Sequence, residues 1–195
     1  MSTGPSGGAA VGGAPSFVVG PFAGPVVYRN VRAIGGPPLW QPSRPGLRWN
    51  PTFPALYTSL ELETSLAERL KHSEPISLEV VVGVAHVVAQ RVADLTQSAT
   101  LQDFQTTGAA LVRDEYDGPH RIAEIIHRLD IGGLLVPAAI GVVSQKFPRI
   151  QLRRDGLRIV YDTPRTGVNL VLFPDRYQEF RELERYRAIL RGLTR

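Results

Sequence analysis

Arg48-Trp49-Asn50 stands in a stretch crowded with proline, from Pro37-Pro38 through Pro42, Pro45 and Pro51 to Pro54. A guanidinium on such a loop forks onto phosphate or carboxylate, and the neighbouring indole stacks on a ligand or anchors the loop. Residue types alone leave Arg48 two roles, a structural ion pair or a ligand clamp. Glu68 falls on a predicted helix, opposite the stripe of Leu62, Leu66 and Leu70. Pattern alone reads it as a solvated carboxylate, paired with Lys71 or His72 about one turn on. Tyr28 and Tyr57 read as aromatics at the edge of a core with wet hydroxyls. Asn169, at the start of a predicted strand, reads as a hydrogen-bonding residue at a loop edge.

Other chemistries are excluded by what the chain lacks. It holds no cysteine, which removes disulfides, thiol catalysis and Cys-based zinc or iron–sulfur sites. This fits a reducing compartment, and the chain is expected in the cytoplasm. Its four histidines, His72, His86, His120 and His127, form no close ligand cluster, and no H-E-x-x-H occurs, so no metal is expected. Neither a G-x-x-x-x-G-K nor a G-x-G-x-x-G phosphate loop is present, nor a G-x-S-x-G elbow. No run of about 18 apolar residues exists to span a membrane. The N-terminus lacks the basic region of a signal peptide, since the first charged side chain is Arg29.

The elements that must position these side chains follow from periodicity. Val26 to Ala33 predicts a first strand. Thr58-Ser59-Leu60-Glu61 has the form of a capping box opening a helix to about Lys71. Alternation of Leu78, Val80, Val82 and Val84 predicts a strand, continued after a bend by a second one from Val88 to Leu95. Residues 99–112 are weakly helical. His120 to Leu129 carries Ile122, Ile125, Ile126 and Leu129 at helical spacing. Leu134-Leu135-Val136 predicts a short buried strand and Val168 to Phe173 another, each closed by a proline. Arg176 to Leu190 predicts a basic amphipathic helix. Strands at both ends with helices between them predict an α+β fold around a mixed sheet, not a strict βαβ repeat.

The chain has 195 residues, enough for one domain at the usual ~100–200. Seven of its 19 glycines and four of its 16 prolines fall in residues 1–25, which predicts a flexible, neutral arm there. Residues 28–175 are nearly neutral, with 16 basic against 15 acidic side chains, whereas 176–195 hold six Arg against three Glu. A second basic stretch runs from Lys146 through Arg149, Arg153 and Arg154 to Arg158. These arginines raise direct nucleic-acid binding, but the nearly neutral body and the absence of a nucleic-acid motif argue against it; a solvated face or a surface complementary to an acidic partner fits better.

Six segments stand in an order that resembles the RES domain family. Val27-Tyr28-Arg29 resembles its opening strand, and Gly46-Leu47-Arg48-Trp49-Asn50-Pro51 its G-x-R-W-N-P loop. Pro54-Ala55-Leu56-Tyr57 with Glu63-Thr64-Ser65-Leu66-Ala67-Glu68 resembles its A-L-Y…E-T-A-L-A-E stretch. Arg91 to Thr96 resembles its V-x-D-L-T strand end, Arg121 to Ala139 its segment ending G-L-L-V-P-S-A, and Val168 to Pro174 its N-L-V-L-F-P strand. The resemblance covers about residues 26–176, within a single RES-like domain at 26–195. It departs at the motif serine, whose place after Val136-Pro137 holds Ala138. An insertion near 141–166 follows, and a second alignment sets Thr163 in the serine's place.

The resemblance implies an ADP-ribosyltransferase-like fold with NAD as substrate. It further implies the toxin half of a bacterial toxin–antitoxin pair, held inactive by an Xre-type antitoxin. Glu68 would then stabilise positive charge on the ribose as the nicotinamide bond breaks. Arg48 and Arg29 would grip the pyrophosphate, Tyr57 stack on nicotinamide or ribose, Tyr28 bond a ribose hydroxyl and Asn169 complete the pocket. Water, phosphate or a protein group would accept the ADP-ribose. Homodimerisation stays open.

Overall fold

The computed structural model describes residues 17, 19–71, 77–140, 149–162 and 167–193, and they form an α+β fold around one mixed sheet. In chain order the elements are β1 (Val19–Arg32), β2 (Leu56–Ser59), α1 (Leu62–Lys71), β3 (Ser77–Asp94), α2 (Ser98–Asp103), α3 (Gly108–Leu111) and α4 (Asp117–Arg128). Then come β4 (Gly133–Pro137), β5 (Arg149–Arg154), β6 (Leu157–Asp162), β7 (Val168–Leu172) and β8 (Glu179–Leu193). The strand order is β1-β2-β7-β4-β3-β8-β5-β6, and β1 also pairs with β3. Only the β3–β4 pairing is parallel among those described.

The β-branched run of β3 makes it the spine of this sheet. It is one unbroken strand rather than two, and its buried side changes along its length. Val80 and Val82 pack toward Leu66 and Ala67 of α1, whereas Ala85, Val87 and Ala89 pack with Phe22, Leu56 and Leu170. The change coincides with a bulge in the pairing to β8, where Val84 faces Glu184 and Ala85 faces Glu182. Leu183 is the extra residue there and stands exposed.

Two expectations are corrected. The C-terminal segment is a strand, not a basic helix: β8 pairs with β3 on one side and β5 on the other. Its residues suit both periods, and the hydrogen bonds offered by two flanking strands override the helix propensity of its Arg, Glu and Leu. Ala188 and Leu190 accordingly point inward, while Arg185, Arg187 and Arg191 point out. Residues 19–25 are also not part of a flexible arm, because β1 pairs Val19 with Ala93 and Phe22 with Ala89; residues 1–16 and 18 lie outside the described residues. Register shifts between Gly20 and Phe22 and between Ala23 and Val26 fall at Pro21 and Pro25, which lack the N–H a regular ladder needs.

The stretch expected as an insertion contains a β-hairpin, β5–β6. Asp155 (φ 47°) and Gly156 (φ 81°) turn it with the left-handed pair of conformations that a tight two-residue loop requires. Ile150 and Leu152 of this hairpin are fully buried against α1 and β8. Around α1, Leu66 is fully buried and Leu62 and Leu70 partly so. The helix begins at Leu62, later than a Thr58 cap would place it. Thr58 and Ser59 end β2 instead, and the Thr58 hydroxyl donates to the Leu170 carbonyl at 2.9 Å. No helix among the described residues is long and apolar enough to cross a membrane.

The half-buried Tyr186 packs against this second core, with the Arg154 guanidinium 4.0 Å from its ring centroid. Burial, and next the Tyr161 phenol, push its hydroxyl up to about 12. Folding thus favours the protonated phenol, so its stabilisation is complete below about pH 10, the unfolded value, and is lost as pH rises toward about 12. The melting temperature of Tyr186→Phe is therefore expected to fall less than that of the wild type across this window. Thermal melts of both proteins at matched pH check it, and parallel alkaline curves would refute it.

Candidate active site

β1 runs beside β3 along its whole length but meets β2 only at Tyr28 and Ser59. A cleft of about 490 Å³ lies beside this divergence. All six residues singled out in the sequence line it: Tyr28 and Arg29 from β1, Arg48 from the proline-rich loop, Tyr57 from β2, Glu68 from α1 and Asn169 from β7. The sequence offered no single-element reason for this convergence, because five separate segments supply them.

Glu68 is not simply solvated. Its Oε1 accepts the Ala139 backbone N–H at 2.9 Å and the Asn169 side-chain amide at 3.2 Å. Asn169 is in turn oriented by the Ser59 hydroxyl, which donates to its Oδ1 at 2.7 Å. A short chain Ser59–Asn169–Glu68 thus fixes the carboxylate from β2 through β7. Asn169 meets the carboxylate directly, a position the sequence reading had left as a general pocket contact. Lys71 does not pair with Glu68 but donates to the Ala139 carbonyl at 3.2 Å, and His72 lies outside the described residues.

Arg29 is buried, with Nη1 on the Tyr57 carbonyl at 2.7 Å and Nη2 on the Gln41 carbonyl at 3.1 Å. Its Nε is buried without a hydrogen-bond partner among the described residues. Burial, and secondarily the Arg69 charge, lower its pKa to about 10. Arg69 is a cleft residue that the sequence reading missed. Its Nε donates to Asn30 Oδ1 at 3.0 Å and its Nη2 to the Asn30 carbonyl at 2.8 Å. Asn30 then donates to Ser65 at 2.6 Å (carbonyl) and 2.8 Å (hydroxyl), tying β1 to α1. The adjacency of Arg69 to Glu68 was the available signal, but helical spacing gave it a different face.

The proline-rich loop is organised from within. Asn50 is fully buried and donates to the carbonyls of Arg44 at 2.8 Å and Phe53 at 3.0 Å. The Tyr57 hydroxyl donates to Asn50 Oδ1 and accepts the Trp49 N–H, both at 2.9 Å. Burial pushes this phenol's pKa well up, while the Trp49 hydrogen bond pulls against it. The Tyr57 hydroxyl is thereby committed to the loop, and its ring is what lines the cleft. Trp49 is buried in the core and anchors the loop instead of presenting a free stacking face.

So anchored, the loop presents Arg48. Its Nη1 donates to the Leu111 carbonyl at 2.9 Å and to the Arg113 carbonyl, and its guanidinium sits 4.7 Å from the Tyr116 ring centroid. It forms no ion pair among the described residues, so the structural Arg–carboxylate reading does not hold. Ala138 is nearly buried beside Leu66 and Ile140, its N–H donating to the Gly167 carbonyl at 2.8 Å. The neighbouring Pro137 and Ala139, not Ala138, line the cleft. Thr163 lies outside the described residues.

Because the Tyr57 hydroxyl satisfies both the Trp49 N–H and the buried Asn50 oxygen, Tyr57→Phe is expected to destabilise the fold by about 1–3 kcal/mol. Urea unfolding of the two proteins measures this, and equal midpoints would show that the loop does not depend on the hydroxyl.

No curated protein matches the chain in sequence. Among solved structures, it is similar to a chain of the MbcT-MbcA toxin-antitoxin complex of M. tuberculosis, with a TM-score of 0.62 and 19% identity over 87% of this chain and 86% of that one. The sequence pattern of the RES domain matches residues 27–190, spanning the strands, the loop and the helix that build the cleft. The chain belongs to the RES domain family.

Proposed function

We propose that the protein consumes NAD, cleaving the bond between nicotinamide and ribose, and serves as the toxin of a toxin–antitoxin pair. The observation that carries this reading is the carboxylate of Glu68, held by two N–H donors in a cleft lined by Arg29, Arg48, Arg69 and Lys71, with Asp114 as its one other acid. As the glycosidic bond breaks, its electron pair leaves with the nicotinamide nitrogen and positive charge grows on the ribose. A fixed carboxylate stabilises that charge with little reorganisation. Arg29 and Arg48 grip the pyrophosphate, exchanging backbone carbonyls for phosphate oxygens in charge-assisted bonds. The Tyr57 ring stacks on nicotinamide or ribose, and Tyr28 bonds a ribose hydroxyl. Water, phosphate or a protein nucleophile then takes the ADP-ribose and gives up its proton. An antitoxin, of Xre type by the family resemblance, holds the enzyme inactive in the cytoplasm.

Nicotinamide release from NAD by the purified chain, with and without phosphate, tests the reading. Glu68→Gln is expected to lower kcat by about 10²–10³-fold while leaving the melting temperature nearly unchanged. Arg48→Ala is expected to raise KM more than it lowers kcat. Wild-type release no faster than that of Glu68→Gln would overturn the proposal.

A second reading, a nucleotide- or protein-binding module that has lost catalysis, is favoured by one observation, Ala138 at the motif-serine position. Since Ala138 packs beside Leu66 away from the cleft lining, Ala138→Ser is expected to leave turnover unchanged and to cost about 1–3 kcal/mol of stability for a buried hydroxyl. A large gain in turnover would favour the second reading.

A further inference from the structure

Strands β8 and β5 present their core side to α1, and the opposite side of β8, β5 and β6 is exposed at most positions. The pairing register places Arg158 beside Arg153, Arg153 beside Ile189 and Ile189 beside Glu79 in one row across the sheet. The next row runs Val160, Gln151, Arg191, Ser77, with Gln151 buried between its exposed neighbours. All four residues Arg153, Arg158, Ile189 and Arg191 are exposed, and Val160 with them. Two other arginines of this face have carboxylate partners: Arg149 lies 3.5 Å from Asp162 and Arg187 lies 3.7 Å from Glu79. Arg153, Arg158 and Arg191 have none among the described residues. Moreover, Arg153 and Arg158 are direct cross-strand neighbours, a like-charge pairing that works against the hairpin.

A solvated surface has no need of that repulsion, since either position tolerates a carboxylate. The combination is three unmatched guanidiniums around two exposed aliphatic side chains on a pleated face. We propose that this outer face of β8, β5 and β6 docks an acidic protein segment, whose carboxylates pair with Arg153, Arg158 and Arg191 and whose apolar side chains cover Val160 and Ile189. Charge complementarity argues for this occupant. Nucleic acid fits worse: Glu79 and Asp162 stand among the arginines and would repel phosphates, and the named rows contain no aromatic side chain on which a base stacks. The surface lies on the side of the sheet away from α1 and Glu68, so its occupant need not enter the cleft, and the inference does not rest on NAD consumption.

The test uses the full chain and a fluorescein-labelled extended peptide of alternating Glu and Val, read by fluorescence anisotropy. A matched Lys/Val peptide and a single-stranded oligonucleotide of equal length serve as comparisons. The Glu/Val peptide is expected to bind tightest of the three and to weaken as salt is raised. Arg153→Glu is expected to weaken it by about tenfold or more. The same substitution sets a Glu opposite Arg158, so its melting temperature is expected to equal or exceed that of the wild type, which separates lost docking from lost folding. Arg153→Glu/Arg158→Glu is expected to transfer the preference to the Lys/Val peptide. Equal binding of the Glu/Val peptide to wild type and variants overturns the proposal. Tighter binding of the oligonucleotide, lost in the same variants, overturns it in favour of a nucleic-acid surface.

Discussion

A sheet that splits exposes backbone groups along the split, and this protein answers that constraint with a buried arginine. Where β1 leaves β2 after the Tyr28–Ser59 contact, the Tyr57 carbonyl loses the ladder partner a regular sheet would provide. Arg29 reaches across from β1 and donates to it, and its other terminal nitrogen holds the Gln41 carbonyl of the proline-rich segment. One side chain thereby joins two strands and a loop at the lip of the cleft. Burying a guanidinium is costly, as its lowered pKa records, and the cost is offset only where carbonyls take up its protons. The opening and the cation at its edge are therefore one feature of the fold.

Elements that bury one face with a single period were legible in the sequence. The Ile122, Ile125, Ile126 spacing marked α4, although Ile125 itself stands exposed, and the apolar runs of β4 and β7 marked strands. β8 was not legible, because Phe180, Leu183, Tyr186 and Leu190 fit a helical stripe about as well as an alternating one. What decides between them is non-local: β3 and β5 lie on either side and β8 pairs with the facing edge of each. The early start of β1 was hidden for a related reason. Pro21 and Pro25 read as breakers in isolation, yet irregular pairing to β3 absorbs both.

The candidate site divides along the same line. Composition and spacing raised Arg48 and left Glu68 looking solvated; the family resemblance brought both into one reading with Tyr28, Arg29, Tyr57 and Asn169. Contacts that depend on distant segments stayed invisible. Ser59 and Asn169 are 110 residues apart, and nothing local in either indicates that they jointly orient Glu68. Arg69 was missed because a helical wheel describes one helix, whereas its guanidinium reaches Asn30 on β1.

The cleft's cations share a property that bears on how it meets an anion. Arg29, Arg48 and Arg69 are held mainly by neutral oxygens, the carbonyls of Tyr57, Gln41, Leu111 and Asn30, and not by carboxylates. Burial first, and then the neighbouring charge (Arg69 for Arg29, Arg32 for Arg69), lowers the pKa of both arginines, so positive charge stands close together along this edge. An arginine paired to a carboxylate must break a charge-assisted bond before it can receive a phosphate. One held by carbonyls exchanges a weaker bond for a stronger one, in a geometry the carbonyls have already set. Glu68 stays apart from this set because its Oε1 is taken up by the Ala139 N–H and the Asn169 amide. No arginine among the described residues pairs with it, so its carboxylate remains available in a cleft where four cationic side chains outnumber the one other acid, Asp114. In the proposed reaction, separating the two signs within one cavity would let it attract an anionic substrate and still oppose a positive charge that develops on it.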